Sequence, residues 1–277
     1  MAITKAQTEK WSAVVELVAQ EASIISQVTS GLYQPDADNA KIIHAVSIGA
    51  PTISTYVPGT PITYSDLTDS ELQIALDQFK MYNFKIEDID QAQSVPDIEN
   101  PALIEAGRGL AIEADEYAFS LYTGAGIVID DGTYGGTATN PYAVTAANID
   151  TVVGDAMVAL DEKNAGPDRV LVVSPKVFKL IVDDARATLT SNEGVFATGY
   201  IADYYGFEVY KSNKLAGTSP ISHCLAMTKR ALPFASSVTE SENMRLESAF
   251  ATAHRGLFVF GAGVKWADEM VDLHLTA

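Results

Sequence analysis

Apolar and polar positions run along this chain in two rhythms, and the sharpest break between them falls in "KMYNFKIEDIDQAQ", residues 80–93. Tyr82, Phe84 and Ile86 lie on one side of an extended chain and Asn83, Lys85 and Glu87 on the other, the period-2 pattern of a half-buried strand. The alternation then gives way to Asp88, Ile89 and Asp90. An aromatic strand that ends in carboxylates poses a choice between a chemical site and an architectural joint.

Around it the pattern predicts a mixture of helix and strand. Residues 11–28 carry Trp11, Val14, Val15, Val18, Ala22 and Ile25 on one helical stripe, followed by the Gly, Pro and Asp punctuated linker "TSGLYQPDADNA". So short a tethered helix covers little core of its own, so it is expected to dock on the main domain or on a neighbouring copy. From 41 to 90 the pattern is β: "KIIHAVSIG" and "TISTYV" are strand-like, and "VPGT" puts Pro58 and Gly59 where a type II turn wants them. In "ELQIAL", Leu72, Ile74 and Leu76 oppose Gln73, Ala75 and Asp77, which favours a strand, while the capping-box pattern "TDSE" leaves a helix open. Residues 71–86 are therefore expected to form a hairpin turned near Asp77 and Gln78.

The strongest predicted helix is 101–123, with Asn100 as N-cap, Pro101 at the first helical position and Gly124 closing it. Leu103, Leu110, Ala114, Tyr117 and Leu121 form its apolar stripe, leaving Glu105, Arg108, Glu113 and Glu116 to solvent or a partner. At 1.5 Å per residue it spans about 35 Å, a strut. A Gly, Asp and Thr-rich loop follows, and from 145 the pattern turns α/β: a helix, the strand "RVLVVS", the helix "PKVFKLIVDDARA" and the strands "FEVYKS" and "SHCLAMT". "MRLESAFATA", "GLFVFGAGVKW" and "EMVDLHLTA" return to strands, with Val271, Leu273 and Leu275 opposing Asp272 and His274.

Composition narrows the class. At 277 residues with 47% hydrophobic and 19% charged residues the chain is globular and able to bury a large core. One cysteine, Cys224, excludes an intrachain disulfide framework. No stretch reaches the roughly 18 to 20 apolar residues that span a bilayer, and "MAITKAQTEKWSAVVEL" lacks the features of a secretory signal, so an intracellular product without a membrane partner is expected. Eighteen basic against 36 acidic residues, a formal charge of -18, argue against a sequence-reading or tightly coating DNA binder. They are compatible with a protein that sits beside DNA without holding it.

Candidate chemistry is sparse. His44, His223, His254 and His274 show no metal-binding helical spacing, and His223 and Cys224, as strand neighbours, project to opposite faces and cannot form a dyad. No nucleophile elbow, Walker A or dinucleotide fingerprint occurs, and the two "GAG" runs read as turns or bulges. Asp130 and Asp131 lack calcium-loop spacing and read as a flexible acidic surface loop. Glu87, Asp88 and Asp90 have Gln91 and Gln93 as neighbours instead of convergent His or Lys, so the joint is the cheaper reading. No catalytic, cofactor-binding or metal residue is assigned.

Two runs carry a resemblance. "KMYNFKIEDIDQAQ" before the strut helix and "GVFATGYIADYYGFEVYKSNKL" at 194–215, preceded by "RVLVVSPKVF", resemble the major capsid proteins of tailed bacteriophages with the Hong Kong 97-type fold, over nearly the whole length. The resemblance implies an α+β fold: an N-terminal arm (1–40), a peripheral domain (41–144 and 236–277) with an extended β-hairpin loop at about 47–78 and a spine helix at about 100–124, and an α/β axial domain (145–235). It implies a non-enzymatic, cofactor-free subunit that assembles with itself into pentamers and hexamers in the host bacterial cytoplasm and encloses phage double-stranded DNA without reading its sequence. A portal, a decoration protein and, for want of a long N-terminal scaffolding segment, a separate scaffolding protein are the implied partners. The residues placed at inter-subunit or architectural points are Trp11, Pro58, Gly59, Asp66, Glu71, Asp88, Asp90, Arg108, Gly199, Gly206 and Asn213. No Lys lies between Lys41 and Lys80, so the lysine cross-link of some relatives is not expected. Two rival readings remain: an encapsulin-like compartment shell, and an α/β enzyme with an acidic metal site.

Overall fold

The computed structural model describes residues 23–32, 41–48, 69–89, 99–184 and 203–277, with positions 51, 53, 55, 58, 59, 64 and 66. The first helix, α1 (Ile25–Val28), is short. Strands β1 (Ile42–Ile48) and β2 (Asp69–Ala75) pair antiparallel, Ile42 opposite Ala75 and Ile48 opposite Asp69. They form a two-stranded ribbon with Ile43, Ala45, Ile74 and Leu76 on its buried face. The expected hairpin over 71–86 is not formed. Strand β3 (Gln78–Glu87) leaves the ribbon and pairs antiparallel with β11 (Ala251–Ala262), which in turn pairs with β10 (Phe234–Arg245). Asp77 and Gln78 lack the glycine or asparagine that a tight hairpin needs for its left-handed positions, and β1 offers Ile43 opposite Ile74 instead. The change of sheet runs over Gly261, where an added Cβ would sit 2.1 Å from the Ala75 carbonyl oxygen.

The strut is present as α2 (Glu99–Ser120), continued by a 3-10 turn at Leu121–Gly124. Asn100 lies inside the helix, not ahead of it, and Pro101 is in the first turn, where its missing N–H costs nothing. Leu103, Leu110 and Ala114 are buried and Tyr117 and Leu121 half-buried, while Glu105, Arg108, Glu113 and Glu116 are exposed, as the stripe predicts.

The remaining elements build a larger sheet. They are β4 (Ile127–Ile129), β5 (Tyr142–Ala143), α3 (Ile149–Glu162), β6 (Arg169–Val173), α4 (Pro175–Asp183), β7 (Asp203–Tyr204), β8 (Phe207–Lys211), β9 (Ile221–Thr228) and β12 (Met270–Thr276). The strands run in the order β4-β12-β9-β6-β8-β7, with β5 also on β12. This sheet draws strands from both sides of the divisions expected at 144/145 and 235/236. One face, with Leu171, Val173, Ala226 and Leu273, is covered by α3 and α4. The other, with Val170, Val172, Leu225 and Met227, shares a core with α2, with Phe258 and Phe260 of β11 and with Ile25 and Val28. Both faces are thus buried, and Asp272 on β12 is 4% exposed. β10 was invisible in the pattern because "FASSVTESEN" is polar; its pairing with β11, around a bulge at Val238/Glu240, makes it a strand.

Candidate functional site

The surface with unfinished business is the ribbon and the sheet beside it. On the ribbon, Ile43, Ala45, Ile74 and Leu76 pack on Ala235 and Val259, but Ile42 and Val46 point away from that core and are exposed. Further out, Ile53 is 95% and Tyr64 89% exposed. The three-stranded sheet buries Tyr82 and Ile86 towards α2 and turns Phe79 and Met81 outward, 63% and 73% exposed, with Leu257 and Val259 opposite them in register. A shallow hollow of about 280 Å³, lined by Met81, Asn83, Glu242, Arg255 and Leu257, opens on this face. Exposed apolar side chains of this kind mark an interaction surface more than a catalytic one.

Asp88 of the 80–93 run is tied down within the chain. Both oxygens of Asp88 accept from the Arg245 guanidinium, one at 2.6 Å, and its backbone N–H donates to the Phe250 carbonyl at 2.9 Å. The Arg245 hydrogen bond holds the Asp88 carboxyl below its usual range. This fork ties the end of β3 to the end of β10, and Asp90 lies outside the described residues, as do Trp11 and Gly199. Glu71 bonds His44 across the ribbon, and Asp66, Pro58 and Gly59 are exposed, Gly59 with the positive φ of +92° that its turn requires. Arg108 pairs with Glu105 one turn back at 2.9 Å. Gly206 takes φ +78° in the turn joining β7 to β8, and Asn213 lines a separate hollow of about 180 Å³ with Ser174 and Ser222. Among the described residues, the sequence-predicted positions are therefore not gathered into one site.

Sequence reasoning missed a buried carboxylate and a half-buried group of rings. Asp115, 5% exposed on α2, accepts from Ser23 Oγ at 2.7 Å and from the backbone N–H groups of Ile24 and Ile25 at 3.1 Å each. It caps α1 from another helix, and burial raises its carboxyl above the ordinary value. The signal was available, since Asp115 falls four residues after Ala111 and four before Phe119, both inward-facing. The second group is a stack of rings. His223 and His274 stand opposite each other on β9 and β12 with ring centroids 4.4 Å apart and planes 8° apart, and Tyr122 stacks on His223 at 3.9 Å. Asp272 Oδ2 accepts from His223 Nδ1 at 2.9 Å.

Reactive chemistry has little to work with. Cys224 is fully buried on the opposite sheet face from His223, and burial pushes its thiol up to about 11, far from a thiolate nucleophile. Asp130 and Asp131 are not a loose acidic loop: they accept backbone hydrogen bonds from Gly132, Thr137 and Thr139 at 2.9, 3.0 and 2.6 Å and shape the turn. Among the described residues, no group of three or more His, Cys, Asp or Glu side chains is placed to hold a metal ion, and no helix is long and apolar enough to cross a membrane.

Comparison with known proteins gives the family and the fold. The profile of the family described as phage capsid protein matches residues 68–270. No curated protein sequence matches the chain. Among solved structures it is similar to Mycobacterium phage Che8, at 21% identity and a TM-score of 0.73 over 90% of each chain. It is also similar to the capsid of the cyanophage P-SCSP1u, at 18% identity and a TM-score of 0.68 over 86% of this chain and 84% of that one. A third is the mature capsid of bacteriophage PhiM1, at 17% identity and a TM-score of 0.62 over 86% and 83%.

Proposed function

The chain belongs to the phage capsid protein family, and from that premise we propose that its exposed ribbon and outer sheet face are the contacts through which copies assemble into pentamers and hexamers of an icosahedral head. It is a structural protein of the capsid shell, with the mixed helix and sheet fold of the Hong Kong 97 type. The observation that carries the assembly reading is the set of apolar side chains that one copy leaves uncovered, Ile53 and Tyr64 in the expected extended loop and Phe79 and Met81 on β3. In this reading the extended loop at about 47–78 reaches over a neighbouring copy, which supplies the burial it lacks, and the α/β segment of about 145–235 gathers around the five-fold and six-fold centres. Each contact is moderate, and closure multiplies them by effective concentration.

The reading extends to partners. A separate scaffolding protein, a portal and a decoration protein complete the head, which assembles in the host cytoplasm and encloses double-stranded DNA. The excess of 36 acidic over 18 basic residues lets DNA slide past the wall instead of adhering to it. Electron microscopy of the expressed protein, alone and with its gene neighbours, is the test. Closed shells or capsomers are expected, and a chain that stays monomeric in every combination overturns the proposal.

A further inference from the structure

The stack of Tyr122, His223 and His274 joins the end of α2 to two strands already paired in the larger sheet. Tyr122 lies in the 3-10 turn ending α2, His223 on β9 and His274 on β12. Near-parallel rings at 3.9 and 4.4 Å cannot share one side of the His223 imidazole, so His223 is the middle layer. All three rings are half-buried, and the Asp272 carboxylate beneath them is 4% exposed. The parallel planes also exclude a chelate, because the in-plane lone pairs of the two imidazoles do not converge on one point.

We propose that this stack is a proton-sensitive joint: it fastens the C-terminal end of α2 to the seven-stranded sheet, and protonation of His274 loosens it. The groups that face His274 are few. On its own strand is Asp272, whose charge is engaged by His223 Nδ1 at 2.9 Å. On β9 is His223, with Tyr122 of the 3-10 turn beyond it on its far side, and in the loop after β4 is Asp130, whose oxygens already accept backbone N–H groups of Gly132 and Thr139. Val128 on β4, in register with Asp272, adds no charge. Burial first, and then the neighbouring His223, hold the His274 imidazole below its usual value, against the opposing pull of Asp272 and Asp130. A histidine whose value falls on folding favours the packed state when neutral. The joint is therefore tight above about pH 6.5 and weakens as pH falls through the lowered value.

Two measurements on the full-length protein in its native assembly decide it. Histidine C2 hydrogen exchange read by mass spectrometry gives the pKa of His274: a value below about 6.5 is expected, and one at or above it overturns the proposal. Backbone exchange, corrected for intrinsic rates, should show protection over 121–126 falling roughly tenfold or more between pH 7.5 and 5.0, with 170–173 unchanged. His274→Phe keeps a stacking ring without a titrating nitrogen and should abolish that fall. Unchanged protection in the wild type, or a fall of the same size in His274→Phe, overturns the proposal. Should the Phe variant not fold, the wild-type pH series and the His274 pKa still separate the expected result from the one that overturns it.

Discussion

Gly256 and Asp115 show how much of this fold turns on single side chains. Tyr82 lies across Gly256 on the next strand to reach Ser241 Oγ at 2.8 Å, and a Cβ at residue 256 would meet its ring at 2.3 Å. Gly256→Ala should therefore displace Tyr82 and cost about 1–3 kcal/mol, read as a lower chemical-denaturation midpoint. Asp115→Ala removes the acceptor for one hydroxyl and two backbone N–H groups at the root of α1. A buried donor without a partner costs about 1–3 kcal/mol, so hydrogen exchange over 23–28 should rise while β9 stays protected. The residue scale is also where legibility was uneven. Asp88 draws attention in the sequence, but the arginine that pairs with it lies 157 positions away. No local pattern could name Arg245.

At the scale of elements, periodicity identified β1, β2, β3, α2, α3 and α4, because each has one face that must be buried and a repeat that says which, while β6 showed as an unbroken apolar run buried on both faces. It did not say who pairs with whom. β2 and β3 are adjacent in sequence and both alternate, yet β2 closes on β1 and β3 on β11. The ribbon that results is the element whose outer face the single chain leaves bare, and it makes a separable prediction. Val46 is 56% exposed, so Val46→Lys should leave subunit stability within about 0.5 kcal/mol while shell yield falls, measured by thermal melting beside particle counts in micrographs. Shells formed at the wild-type yield would remove the ribbon from the interface.

For the whole molecule, the formal charge of -18 and the absence of any lysine between Lys41 and Lys80 bear on the assembled shell. Boiled particles should run on a denaturing gel as one band at the 29.6 kDa of the chain, and a covalent ladder would refute the uncross-linked shell. The free subunit should bind duplex DNA weakly, with whatever binding exists lost steeply as salt rises. Composition alone determined that the chain is globular and acidic, and the order of its periodic segments determined that strands and a long helix precede an α/β unit. Both follow from burial, which each residue's hydrophobicity reports locally. The tertiary structure alone decided that the last strand enters the larger sheet, that Asp115 caps a helix 90 positions away, and that Tyr122, His223 and His274 meet in one stack. Such contacts depend on sheet register and helix placement, which are set by the joint packing of distant segments and leave no mark on the sequence around any one of them.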